Sequence, residues 1–223
     1  MIVTIDGPAG AGKSTVARRL AERLGFEKLD TGATYRAVAL ALTRVGQTAT
    51  ADEDFLLAWL PTVQLTMTDG KIYLGSEEVT GLIRTPAISD LASRLSTRKS
   101  VRRFLSEWQR HYSRGRNLVS EGRDQGTVVF QDAACKFFLT ANPLERARRR
   151  YDEMRARGES VTLEQVVQDQ AERDKRDAER ALAPLHPAAD AHIIDTTGLT
   201  LEQVVATLEQ FVHATRAPDR PKG

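Results

Sequence analysis

Eight residues near the start, Gly7-Pro8-Ala9-Gly10-Ala11-Gly12-Lys13-Ser14, constrain this chain more than any other stretch. Their spacing is G-x-x-x-x-G-K-[ST], a loop whose backbone N–H groups converge on a phosphate. Context separates such a loop from a chance Gly/Ala turn. Here Ile2-Val3-Thr4-Ile5 precedes it as a strand-like apolar run. Thr15 to Leu24 follows, with Val16, Ala17, Leu20 and Leu24 on one helical face. Strand, glycine loop and helix together predict a phosphate site at a helix's amino end, where the peptide dipoles favour an anion. Gly7, Pro8, Ala9, Gly10, Ala11, Gly12, Lys13, Ser14 and Thr15 are therefore the expected contacts to a nucleotide's phosphates. Lys13 is placed to reach the β- and γ-phosphates and Ser14 to offer its hydroxyl to Mg²⁺.

Composition narrows the class by exclusion. The 223 residues, 41% hydrophobic, suffice for one core with a small inserted subdomain. A formal net charge of +2, from 32 basic and 30 acidic residues, does not describe a general nucleic-acid binder. Seven of the basic residues are lysines, which leaves 25 arginines. Their planar forks suit phosphate, although most of so many are expected to be solvated surface. Cys135 stands alone, which excludes a disulfide framework and a four-cysteine zinc site. Beside Phe137-Phe138-Leu139 it reads as a buried thiol. Asp6 interrupts the N-terminal apolar run and no run reaches membrane-spanning length, so a cytoplasmic location is the default expectation.

Strand-like and helix-like runs alternate at both ends of the chain, which predicts a parallel sheet. The expected fold class is α/β: a P-loop three-layer α/β/α arrangement with a central parallel sheet, a small β-containing insertion and a helical lid. A helix is expected from about Gly32, with Tyr35, Val38, Leu42 and Val45 on one face. Then the rhythm breaks. Val63, Leu65 and Met67 alternate, Asp69-Gly70 turns, and Ile72 and Leu74 alternate again, which is a hairpin pattern. Helical spacing returns with Ile88, Leu91, Ala92 and Leu95, then with Val101, Phe104, Leu105, Trp108 and Tyr112. Core strands are expected at Leu118-Val119, Phe137-Phe138-Leu139 and His192-Ile193-Ile194. Helix starts are expected at Asn142 with Glu145, Thr162 with Gln165 and Thr200 with Gln203, each spaced for a capping box. The last helix should bury Leu201, Val204, Val205, Leu208 and Phe211. On this reading the core comprises about 1–49, 87–140 and 182–213. The insertion is about 50–86, an arginine-rich lid about 146–181, and 214–223 a frayed tail.

A phosphate loop names a nucleotide and leaves the reaction open. Three further stretches bear on it. Asp30-Thr31-Gly32-Ala33-Thr34-Tyr35-Arg36 follows a short strand at Lys28-Leu29, and in open parallel sheets ligands gather at strand carboxyl ends. It reads either as a grip on an acceptor phosphate and sugar or as a helix cap with Tyr35 buried and Arg36 solvated. Glu121-Gly122-Arg123-Asp124-Gln125-Gly126 follows the strand at Leu118-Val119 and reads as a functional loop or as an Arg123–Asp124 ion pair in a turn. Late in the chain come Arg146, Arg148, Arg149 and Arg150, then Arg173, Asp177 and Arg180 at helical spacings of four and three. Most such charges are solvated, but a subset could neutralise transferred phosphate.

In order, these blocks resemble the bacterial cytidylate kinases, a P-loop nucleoside monophosphate kinase family. The likeness rests on Asp6 to Thr15, Asp30 to Arg36, Glu78-Val79-Thr80-Gly81-Leu82-Ile83-Arg84-Thr85, Gly122 to Phe130, and Arg173-Asp174 through Pro184-Leu185. The phosphate loop is shared by many families; the Gly122 to Phe130 block and the insertion are far more specific. The resemblance implies phosphoryl transfer from ATP, with Mg²⁺, to CMP or dCMP, giving CDP or dCDP. It makes the insertion the part that binds the nucleoside monophosphate. It implies that Thr31 and Arg36 hold the acceptor phosphate, that Tyr35 lies on the ribose side, and that Ser93, Arg102 and Asp124 read cytosine. It gives phosphate contacts to Arg123 and Arg173, a sugar contact to Asp177, and a base or phosphate contact to Arg180. Arg146, Arg148 and Arg149 fall where the family has its mobile lid; Lys13, Arg123, Arg173 and Arg149 form the expected catalytic set, and Ser14 is the expected metal ligand. A monomer that binds no nucleic acid and no membrane is expected. The rivals are another small P-loop kinase, acting on shikimate, gluconate or a different nucleotide, and a nucleotide-dependent switch. No guanine-reading Asn-Lys-x-Asp sequence is present.

Overall fold

Hydrophobic alternation is missing from Ile2–Asp6 because both faces of that strand are covered: Val3, Thr4 and Ile5 have no solvent exposure. The computed structural model describes residues 1–216. In chain order they form β1 (Ile2–Asp6), α1 (Lys13–Leu24), β2 (Glu27–Asp30), α2 (Thr31–Arg44), α3 (Glu53–Trp59), β3 (Leu65–Thr68), β4 (Lys71–Leu74), β5 (Glu77–Glu78), α4 (Pro86–Leu95) and α5 (Lys99–Tyr112). Then come β6 (Leu118–Glu121), β7 (Cys135–Thr140), α6 (Pro143–Ala156), α7 (Leu163–Glu179), β8 (His192–Asp195) and α8 (Leu201–Arg216). The described residues divide into two compact units, 1–28 with 117–216, and Leu29–Arg116.

The first unit is built on a sheet of order β2-β6-β1-β7-β8, in which β1 pairs in parallel with β6 and β7, and β7 with β8. This is the expected α/β architecture, with β1 at its centre. Ile5 lies opposite both Glu121 and Phe137, so the phosphate loop and the segment after β6 leave the sheet side by side. Val16, Ala17, Leu20 and Ala21 of α1 join Val204, Val205, Leu208 and Val212 of α8 in one apolar core around the strands. Phe211 is only partly buried, its ring 6.1 Å from that of Phe137. Cys135 is buried and free, its Sγ 3.1 Å from Thr215 Oγ1.

Thr162 and Gln165 form a complete capping box at α7, and Thr200 and Gln203 exchange the same two bonds at α8. Asn142 does cap α6, through Leu144 N–H, but Glu145 turns forward to Arg149 at 3.1 Å instead of closing a box. The expected tail begins inside α8, and positions 217–223 lie outside the described residues.

The second unit packs α2, α4 and α5 with the antiparallel sheet β3-β4-β5. Asp69 (φ 52°) and Gly70 (φ 73°) both take the left-handed turn conformation that suits a two-residue hairpin. The sequence shows that hairpin but not β5, because Glu77 and Glu78 carry no strand propensity; they pair with Leu74 and Tyr73. Val45 does not share the buried face of Val38 and Leu42: α2 stops at Arg44 and Val45 is half exposed. Trp108 Nε1 donates to the Leu65 carbonyl at 2.9 Å, and Glu53 accepts from Arg98 and from the Ser100 N–H, both at 2.8 Å. These bonds tie the small sheet and α3 to α5.

Candidate functional site

The first unit carries a ring of charged side chains around the phosphate loop. The loop leaves β1 at Gly7 and enters α1 through Gly12, whose carbonyl accepts from Val16 N–H. Lys13 is buried and folds back on the loop, its Nζ donating to the Pro8 carbonyl at 2.6 Å. Burial, together with the cations Arg123 and Arg173, pushes its pKa well below the usual lysine range, while Glu121 and Asp6 oppose the fall.

Asp6, at the end of β1, fastens the next loop to this one. Its two carboxylate oxygens accept from Gln125 N–H at 2.9 Å and Gly126 N–H at 2.8 Å. Burial pushes its pKa from 3.8 up to about 6, against the lowering effect of those two N–H groups. The folded chain thus holds this proton more tightly than the unfolded chain. The resulting stabilisation is full below pH 3.8 and is lost as pH rises through about 6, a change of about 3 kcal/mol. Urea unfolding at pH 4 to 7 should therefore show the stability of wild type relative to Asp6→Asn falling with pH by about 2–3 kcal/mol. A difference independent of pH would contradict it.

Beside Ser14, Lys28 from β2 donates to Ser14 Oγ at 2.7 Å and pairs with Glu121 Oε1 at 3.0 Å. Glu121, nearly buried at the end of β6, was visible in sequence only as one charge in a loop; Lys28 gave no signal at all.

The alternative of an Arg123–Asp124 ion pair in the turn is not the pairing seen. Arg123 Nε donates instead to Asp177 Oδ2 at 2.8 Å, and Arg180 lies 3.9 Å from both Asp124 and Asp177. Burial raises the Asp177 pKa, but Arg123, Arg173 and Arg180 outweigh it and hold the carboxyl below its usual range. Arg123, Asp124, Arg173, Asp177, Arg180 and Lys13 are thus one electrostatic group, as the sequence spacing suggested for the α7 residues. Of Arg146, Arg148 and Arg149 on α6, Arg146 is the one that reaches the phosphate loop. Its guanidinium is buried and donates to the Ala9 carbonyl at 3.0 Å and to Asp174 at 2.6 Å. Arg149 is committed to Thr196, whose Oγ1 and carbonyl each accept at 2.9 Å, and Arg148 is exposed.

In the second unit Thr31, Tyr35 and Arg36 occupy the first turns of α2. Asp30 caps that helix through Ala33 N–H and also faces Arg36 at 3.4 Å; Tyr35 and Arg36 are both half buried, so the cap forms without the buried tyrosine and solvated arginine of the helix-cap reading. Ser93 and Arg102 share the α4–α5 corner: Arg102 is buried and donates to the Ser96 carbonyl at 3.2 Å.

A sequence model described as cytidylate kinase matches residues 3–214, a span that includes every side chain of this site. The chain belongs to the cytidylate kinase family. The relative named cytidylate kinase from Pelotomaculum thermopropionicum is 49% identical over 219 residues, covering 96% of each chain. That from Geobacter sulfurreducens is 48% identical over 217 residues, covering 95% of this chain and 92% of the relative. A solved structure of an uncharacterised protein from Eubacterium ventriosum, at 11% identity, matches with a TM-score of 0.54 over 96% of this chain and 99% of the other, a likeness of fold. As a member of the cytidylate kinase family the chain is a phosphotransferase of the P-loop type. No helix among the described residues is long and apolar enough to cross a membrane. Nor do three or more His, Cys, Asp or Glu residues gather there as a metal site.

Proposed function

We propose that the chain transfers the γ-phosphoryl group of ATP to CMP and dCMP, in the cytoplasm, as a monomer with Mg²⁺. The observation that carries this reading is the family match over residues 3–214, which spans both the phosphate loop and the proposed acceptor residues. The acceptor phosphate oxygen is already a nucleophile, so positioning and charge neutralisation supply the acceleration and no general base is required. Gly7 to Thr15 cradle the donor phosphates, and Lys13 answers the charge that develops on the transferred group. Arg123 and Arg173 neutralise phosphate; Thr31 and Arg36 hold the acceptor's. Tyr35 and Asp177 contact the sugar, Ser93, Arg102 and Asp124 recognise the base, and Arg180 contacts base or phosphate. The arginine-rich segment 146–181 acts as a lid that excludes water, with Arg146 as its link to the phosphate loop. For Mg²⁺ the donor chemistry fits: a hydroxyl and a carboxylate, Ser14 and Glu121, already share one cation in the Lys28 ammonium. Bound there, the ion would neutralise phosphate charge.

Asp124 is the test of base recognition. Its carboxylate is buried, and the amino group of cytosine is a donor that uracil lacks. UMP should therefore leave a charged acceptor unmatched, costing about 3 kcal/mol and lowering kcat/KM about 100-fold or more relative to CMP. A coupled ADP-release assay with ATP, Mg²⁺ and each of CMP, dCMP, UMP, AMP and GMP measures this. Equal values for CMP and UMP would rule out the assignment of Asp124.

A further inference from the structure

We propose that Lys28 is a built-in counter-cation for the Ser14–Glu121 site and gives up its place when the metal enters with the nucleotide. The inference rests on the reading that Ser14 and Glu121 hold that metal. One ammonium serves both oxygens, at 2.7 Å and 3.0 Å, so a hydroxyl and a carboxylate from different elements converge on a single point. The first is a hydrogen bond; the second is an ion pair in which Glu121 Oε1 accepts no hydrogen bond. Mg²⁺ requires about 2.0–2.1 Å to each oxygen, so ion and ammonium cannot both be accommodated between the same pair.

The arrangement answers a problem of charge. The Glu121 side chain is only 9% exposed, and a buried carboxylate without a cation is costly. Lys13 also acts on Glu121, but its ammonium is engaged with the Pro8 carbonyl and faces Arg123 and Arg173. Lys28 reaches Glu121 from β2 while also donating to Ser14 Oγ. It lies on the edge strand β2 with 22% of its side chain exposed, so its long stem can swing the charge into water without moving the backbone. With so few carboxylates near, bare Mg²⁺ competes poorly against a tethered ammonium. Mg²⁺ carried by ATP brings its own phosphate ligands and displaces it. Lys28 is thus a positioning residue that favours entry of metal with nucleotide over metal alone.

The decisive measurement is direct metal binding to the nucleotide-free full-length chain, with Mn²⁺ as the probe and its free-ion electron paramagnetic resonance signal as the readout. Lys28→Met and Lys28→Gln should each bind Mn²⁺ about tenfold more tightly than wild type, because a positive charge within contact distance of the site is removed. Glu121→Gln added to Lys28→Met should abolish that gain. Without metal the Lys28 variants should melt below wild type, and Mn²⁺ should restore their Tm, which separates the effect from misfolding. Equal or weaker Mn²⁺ binding in both Lys28 variants, or none in any protein, would overturn the inference. The acceptor assay reads the reaction independently: CMP turnover with unchanged Mn²⁺ affinity removes only the role of Lys28, and tighter Mn²⁺ binding without CMP turnover removes only the reaction.

Discussion

Lys13→Ala should slow the phosphoryl-transfer step about 100- to 1000-fold in single-turnover kinetics, as loss of one preorganised charge-stabilising donor does. The reason lies in the surroundings of Lys13 rather than in its position alone. Its ammonium is buried beside Arg123 and Arg173 and donates to the Pro8 carbonyl. Three cations gathered without phosphate repel one another, and a polyphosphate relieves that repulsion. Lys13 should therefore take on fuller charge as ATP binds, and binding should draw protons from solution when the pH approaches its lowered pKa. The alanine variant should lose this proton uptake in calorimetry repeated in buffers of different ionisation enthalpy. Its unliganded stability should fall little, because a desolvated, repelled charge is removed along with one hydrogen bond. Near-normal transfer in a folded Lys13→Ala protein would show that the charge acts elsewhere.

The same logic explains what could be read from the sequence. The phosphate loop, β1 and α1 were legible because a local pattern dictates a local structure: glycine spacing, a following Lys-Ser, and an apolar helical face all lie within two dozen residues. The caps at Thr162 and Thr200 were legible for the same reason. Glu145 was not, since Arg149 one turn later offers it a charged partner in place of a backbone N–H. The strand β5 escaped notice because its pairing with β4 is set by tertiary context.

For the charged residues the sequence supplied candidates but not partners. Spacing put Arg173, Asp177 and Arg180 on one helical face, although α7 ends at Glu179 and Arg180 follows in extended backbone; nothing local says that Asp177 takes Arg123, 54 residues earlier, in preference to leaving it with adjacent Asp124. A one-residue separation gives poor geometry for a side-chain ion pair, whereas Asp177 offers a buried carboxylate that needs a cation. Arg146 and Arg149 differ in the same way. They lie three residues apart on one helix, but one meets the Ala9 carbonyl and the other Thr196, a distinction that only the packing of α6 can make. Lys28 illustrates the limit most sharply: a single lysine on an edge strand has no pattern to betray it, and its meaning comes entirely from Ser14 and Glu121.

Gly7→Ala should destabilise the protein by about 4 kcal/mol or more, a loss in the exceptional range for one substitution, and should abolish ATP binding. Two independent physical obstacles coincide at this position. The residue has φ 142°, which L side chains rarely adopt, and a Cβ placed there would lie 2.0 Å from the Leu139 carbonyl oxygen and 3.0 Å from its carbon. Both are backbone atoms of β7, which is paired directly with β1. No rotamer change can yield the space, so the two strands that carry the phosphate loop must part. Gly12→Ala isolates the first obstacle from the second: φ is 82°, but no heavy atom lies within 4 Å of the added carbon. It should cost only about 1 kcal/mol. Urea midpoints of the two variants, measured at the same m-value, separate conformational strain from collision. Equal midpoints would mean that β7 does not press against the loop, and the close strand packing that holds the phosphate cradle in shape would have to be abandoned as its cause.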